Sequence, residues 1–160
     1  MAVFRSLLEA QGFTGIKTLL NSGNAVFSSA GHSAAAHAKA MEVALDDGLG
    51  LKILVVVKSS SEFLAAVADN PWAPAAAEHA RFLVAFAQTA QAIEALSAVQ
   101  PLVQTPERFS MGQHAAYLRC ASGILESPAA SGLLGKLGRG ITTRNWATVL
   151  KLKELLAGEA

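Results

Sequence analysis

The chain has 160 residues, enough for one ordinary domain or two small ones sharing an interface. Lys plus Arg is 13 and Asp plus Glu is 12, so the formal charge of +1 argues against a dedicated nucleic-acid or acidic-membrane binder. Hydrophobic residues make up 52% and charged residues 16%, which excludes disorder and leaves enough apolar surface for a sizeable core.

Phe4, Leu7, Leu8 and Gln11 stand at helical spacing, and Gly12 closes that helix. Two β-prone runs, Ile16–Leu20 and Ala25–Ser28, flank Ser22-Gly23-Asn24 and predict a tight hairpin, because Gly and Asn tolerate positive φ. An Ala-rich helix is expected from His32 to Leu49, ended by Gly48 and Gly50. Leu51–Val57 is almost uniformly apolar and predicts a strand that is central or buried on both faces. Ser59-Ser60-Ser61-Glu62 matches a capping box opening a short helix, which Asn70-Pro71 stops. Pro71–His79 is the best linker candidate.

The second half repeats this grammar. Arg81–Ala87 predicts a strand with Phe82, Val84 and Phe86 on one face, and Thr89–Val99 a helix ended by Gln100-Pro101. Arg108–Met111 and Ala115–Cys120 predict a second hairpin. Ser127-Pro128 is an N-cap with proline at the first helical position, and Gly138 and Gly140 end that helix. Ile141 stands in a short strand, and Thr142 or Thr143 is expected to cap a last helix to about Leu156.

Residues 81–142 thus give strand-helix-strand-strand-helix-strand, and residues 1–57 the same order without its first strand. The expected fold is α+β: two ferredoxin-like (βαββαβ) subdomains, the first lacking its N-terminal strand, each sheet covered by helices on one face. Residues 1–58 form the incomplete N-terminal half, 59–80 a bridging helix and linker, and 81–160 the C-terminal half with a terminal helix. An absent central strand leaves edges unpaired, so either a monomer with a repacked half or a strand-exchanged dimer is expected.

The single cysteine, Cys120, rules out an intrachain disulfide and a CxxC site, and its alternation with Ala116 and Leu118 places it in the core. His32, His37, His79 and His114 have no metal-binding spacing, and His32 and His37, five apart, fall off a common helical face; scattered surface histidines account for them. No phosphate-cradling glycine loop and no nucleophile elbow occur, and no cofactor is expected. The longest branched-apolar run, Ile53–Val57, is far short of the ~18 residues of a membrane span. Without a signal-like N-terminus, the expected compartment is the cytoplasm.

One local feature stands out: Thr142-Thr143-Arg144-Asn145-Trp146. A cation in the first turn of a helix opposes the helix dipole, and an anion, internal or bound, resolves the conflict. The first reading is therefore a small anionic ligand held by Thr143, Arg144 and Asn145, with Ser22 and Asn24 joining if the first hairpin lies nearby. The second is a protein-interaction or structural module in which Arg144 pairs internally with a residue such as Glu107, Glu126 or Asp69. The third is RNA binding through Phe27 and Tyr117, which the near-zero charge and the lack of a basic-Gly-aromatic run disfavour. Whether the protein is an enzyme is left open by the sequence.

Several blocks, taken together, carry a family resemblance. Thr18–Phe27 with its Ser22-Gly23-Asn24, then Asn70-Pro71-Trp72, Tyr117-Leu118 and Thr143–Val149, resemble in order the signature of a bacterial family catalogued as domain of unknown function 1697. The resemblance implies paired ferredoxin-like subdomains and no established activity. The family pattern begins further upstream, with a strand and an Arg-Gly-rich loop, so the natural protein is expected to start before Met1. The family also has Ser-Lys-Leu where this chain has Ser127-Pro128-Ala129, and Lys136 is the nearest replacement for that lysine.

Overall fold

The computed structural model describes residues 2–19 and 23–158. Its contacts divide the chain into two units, Met1–Val57 with Lys151–Ala160 and Lys58–Leu150.

In the first unit, α1 (Ala2–Ala10) turns Leu8 inward and ends at the positive-φ Gly12. The hairpin is present as β1 (Thr14–Leu19) and β2 (Asn24–Ser28), antiparallel, with Lys17 opposite Val26 and Leu19 opposite Asn24. The second helix, α2 (Ala34–Leu49), starts two residues later than expected because the Ser33 hydroxyl caps it, accepting from the Ala36 N–H. Its stop is Gly50, in the left-handed conformation; Gly48 lies inside the helix. Leu8, Phe13, Ile16, Ala38, Met41 and Val57 form the core of this unit.

Two expectations fail here. Leu51–Val57 is not a strand: it joins no sheet among the described residues, and Leu51, Ile53 and Leu54 are 45–51% exposed. A strand exists through its ladder rather than its composition, and here the Val55 N–H donates to the Glu42 carboxylate (3.1 Å). The histidines are not all scattered. His32 precedes α2, so helical spacing does not govern it, and its ring centroid lies 5.9 Å from that of His37, which is edge-on to Phe13.

The second unit opens with α3 (Ser60–Ala68), whose capping box between Ser59 and Glu62 is formed as expected. Its sheet comprises β3 (Phe82–Ala87), β4 (Arg108–Met111), β5 (Ala115–Arg119) and β6 (Ile141–Asn145), all antiparallel in the order β4-β5-β3-β6. Between β3 and β4, α4 (Ala90–Glu94) tightens into a 3-10 helix, Ala95–Leu102, that includes Pro101 rather than stopping before it. Between β5 and β6, α5 (Pro128–Leu134) carries its Ser127 cap. The last helix, α6, is Trp146–Ala157.

Helices cover both faces of this sheet, not one. Leu83, Ala85, Ala87, Ala116, Leu118, Cys120 and Ile141 meet Ile93, Leu96, Val99 and Leu133 on the first face. On the other face Phe86 stacks on Phe63 of α3, Phe82 meets Trp72 and Trp146 edge-on, and the Tyr117 hydroxyl donates to the Ala66 carbonyl. The segment read as a bridge and linker is thus packed on this sheet, and Glu78 within it is gripped by Arg119.

Candidate functional site

Alternation along β6 decides which of the singled-out residues share a face. Ile141, Thr143 and Asn145 project to the side of the Leu83–Ala85–Ala87 core, since Thr143 stands opposite Ala85 and Asn145 opposite Leu83. Thr142 and Arg144 project to the other side, opposite Phe86 and Val84. The expected trio of Thr143, Arg144 and Asn145 is therefore divided between the faces, and Thr142 is the hydroxyl beside Arg144. Reading these residues as a helix start concealed this; reading them as a strand end reveals it.

Arg144 is not in the first turn of α6. It lies on β6, and its Nη1 donates to Thr142 Oγ1 and to the Thr143 carbonyl, both at 2.7 Å. Burial lowers its pKa, because the charged guanidinium loses water. Neither threonine caps the helix. Asn145 does, its Oδ1 accepting the Thr148 N–H at 2.9 Å. Trp146, 8% exposed, then fixes the junction against Phe82.

The same face carries a group that the sequence reading passed over. Asn70 Oδ1 accepts the Trp72 N–H (3.1 Å), closing the turn after α3, while its Nδ2 is buried with no hydrogen-bond partner among the described residues. Trp72 and Trp146 both lean on Phe82, so the turn that holds Asn70 and the end of β6 that holds Arg144 are packed on the same aromatic residue. Asn-Pro signalled the helix stop; nothing in the sequence signals the orphaned amide, which depends on burial.

The remaining candidates lie elsewhere. Asn24 is buried in the first unit, donating through Nδ2 to the Leu19 carbonyl across the hairpin (3.3 Å). Ser22 lies outside the described residues. Lys136 is exposed on a 3-10 turn, Lys136–Gly138, whose Leu137 packs on the face opposite Arg144. Of the acids proposed as partners for Arg144, Glu107 accepts the Gln104 N–H (3.3 Å), and a half-buried ion pair in this unit is built by Arg119 on Glu78. Arg119 holds the Glu78 carboxyl below the usual carboxylate range. Burial pushes the Cys120 thiol up to about 11, keeping it protonated and inert at neutral pH. Tyr117 is fully buried, and Phe27 is partly buried against Phe13. No group of three or more potential metal ligands occurs among the described residues.

The architecture defines a mixed α+β protein with two small sheets and, among its described residues, no helix long and apolar enough to cross a membrane. The chain belongs to the family described as protein of unknown function (DUF1697), whose model matches residues 1–117; the Thr143–Val149 block falls beyond that match. No curated relative matches it. The solved structure of conserved bacterial protein SP0830 from Streptococcus pneumoniae superposes with a TM-score of 0.77 at 22% identity, over 98% of this chain and 88% of that one. That likeness concerns the fold.

Proposed function

We propose that the protein is a small-ligand-binding domain, working in the cytoplasm, whose ligand is an anion held at the junction of β6 and α6. The observation that carries this reading is the buried Asn70 Nδ2, without a hydrogen-bond partner among the described residues, in the turn whose Trp72 packs on the sheet face that also holds the desolvated Arg144. A buried donor without an acceptor costs about 1–3 kcal/mol, which an acceptor-rich ligand recovers. A guanidinium shielded from water attracts an anion more strongly than an exposed one. Thermal shift in sulfate or phosphate, against sodium chloride of equal ionic strength, tests it. A saturable rise in Tm is expected for the wild type and for Asn145→Ala, and its loss in Arg144→Ala and Asn70→Ala. An undiminished rise in Arg144→Ala makes that arginine structural.

We further infer that both units are variants of one ferredoxin-like plan. In the second unit the first strand, β3, lies between the third and fourth, β5 and β6, as that plan requires. In the first unit helix, strand, strand and helix follow in the order of that plan from its first helix onward, and 51–57 comes next in the chain, where the plan has its fourth strand. That segment favours a second functional reading, an interaction module in which 51–57 pairs with the same segment of a second copy.

A further inference from the structure

The groove between α1 and the β1–β2 hairpin plays no part in the function proposed above. It encloses about 620 Å3, within the ~300–1,000 Å3 typical of small-molecule sites. The ladder is irregular along its wall: Gly15 takes a φ of +60°, and the register shifts between Thr14 and Lys17. Thr14 and Ser28 stand directly opposite each other across the hairpin and set two hydroxyl-bearing residues in the wall. From α1 come Arg5 and Glu9, one helical turn apart and joined through Arg5 Nε (3.1 Å). Phe13, 5% exposed, supplies an apolar floor.

We propose that this groove binds a small organic carboxylate. The Arg5–Glu9 pair engages only Nε, so the terminal nitrogens of the guanidinium present an end-on fork that matches a carboxylate. Glu9 opposes a phosphate dianion, and the Phe13 floor favours a hydrocarbon body over a bare inorganic ion. The assignment rests on Arg5 rather than Lys17, whose ammonium also lies beside the last turn of α6 at Gly158.

Sodium benzoate is the probe, followed by amide chemical-shift titration of the full chain, with inorganic phosphate and sodium chloride at equal ionic strength as comparators. Benzoate is expected to shift the amides of Phe13–Lys17 and Ser28 saturably, and Arg5→Gln to weaken that binding at least tenfold. Arg5 is exposed, so the variant should fold, and its unchanged thermal melt checks this. Absence of saturable shifts, or an unchanged Kd in Arg5→Gln, overturns the proposal. Equal saturation of these amides by phosphate overturns the carboxylate assignment. Shifts at Asn70 and Thr142–Thr148 report the other site, so the two readings fail separately.

Discussion

Tyr117 is the protein's one tyrosine, and its hydroxyl ends inside the second unit on the carbonyl of Ala66. That carbonyl belongs to the last turn of α3, where no further turn of helix supplies an N–H, so the phenol serves as a cap. Tyr117→Phe leaves the carbonyl buried and unsatisfied, and a loss of about 1–3 kcal/mol is expected in a denaturant melt. Burial also raises the phenol from its ordinary 10.0 to about 12. Folding therefore favours the protonated form; this stabilisation is complete below pH 10 and is lost as the pH rises through about 12. Absorbance at the phenolate band should stay flat in the native protein until well above pH 10, while the unfolded chain titrates near 10. A native titration at 10 would place the hydroxyl in water. Asn145 allows a sharper test of position: Asn145→Ala should cost about 1 kcal/mol as a lost N-cap, and Thr143→Ala clearly less. The reverse order would return the cap to the threonine.

What was legible in the sequence depended on how local the deciding interaction is. The Ser59–Glu62 box and the Ser127-Pro128 start are each fixed by residues within a few positions and stand as read, while the first hairpin forms with its first strand starting two residues earlier, at Thr14, and its turn residues 20–22 lie outside the described residues. The misplaced cap at Asn145 arose because threonine and asparagine are both good N-caps, and only the pairing of β6 with β3 shows how far the strand runs. Leu51–Val57 has a strand's composition, but its ladder depends on partners that its own residues do not encode. Arg144 was legible as unusual; the face it occupies and the orphaned Asn70 amide were not, since both follow from tertiary packing. The helix expected to run to Gly138 ends at Leu134, and the 3-10 turn Lys136–Gly138 that follows shows how tightly such packing constrains one position. A Cβ on Gly138 would stand 1.7 Å from the Leu133 carbonyl oxygen, a backbone atom that cannot swing aside. At Gly140 the nearest atom is the Ala92 Cβ at 3.5 Å, an ordinary contact. Gly138→Ala is expected to cost about 2 kcal/mol or more, and Gly140→Ala much less. Equal melting temperatures for the two variants would contradict the close turn at Gly138.

Across the whole chain, local stability should track where backbone groups are paired and side chains buried. Every residue of β3 is buried and the strand is paired on both sides, so the amides of Leu83–Phe86 are expected to exchange slowest. Residues 52–54 lie outside any sheet with Ile53 and Leu54 exposed, and should exchange among the fastest in dilute solution, whereas the Leu51 N–H is held by the Leu45 carbonyl (3.2 Å). This contrast also decides the second functional reading. Pairing of 51–57 between two copies obeys mass action, so protection there must grow with protein concentration, whereas protection in β3 reflects opening within one chain. Hydrogen exchange read by mass spectrometry over about a hundredfold range of concentration, with light scattering for molar mass, provides the measurement. Concentration-dependent protection confined to 51–57, together with a doubling of mass, supports the paired form. Ile53→Lys should abolish both effects, because antiparallel self-pairing would bury its charge against the same apolar segment of the other copy. A constant monomer mass with unchanging exchange in 51–57 eliminates pairing through this segment and leaves the anion site as the functional reading.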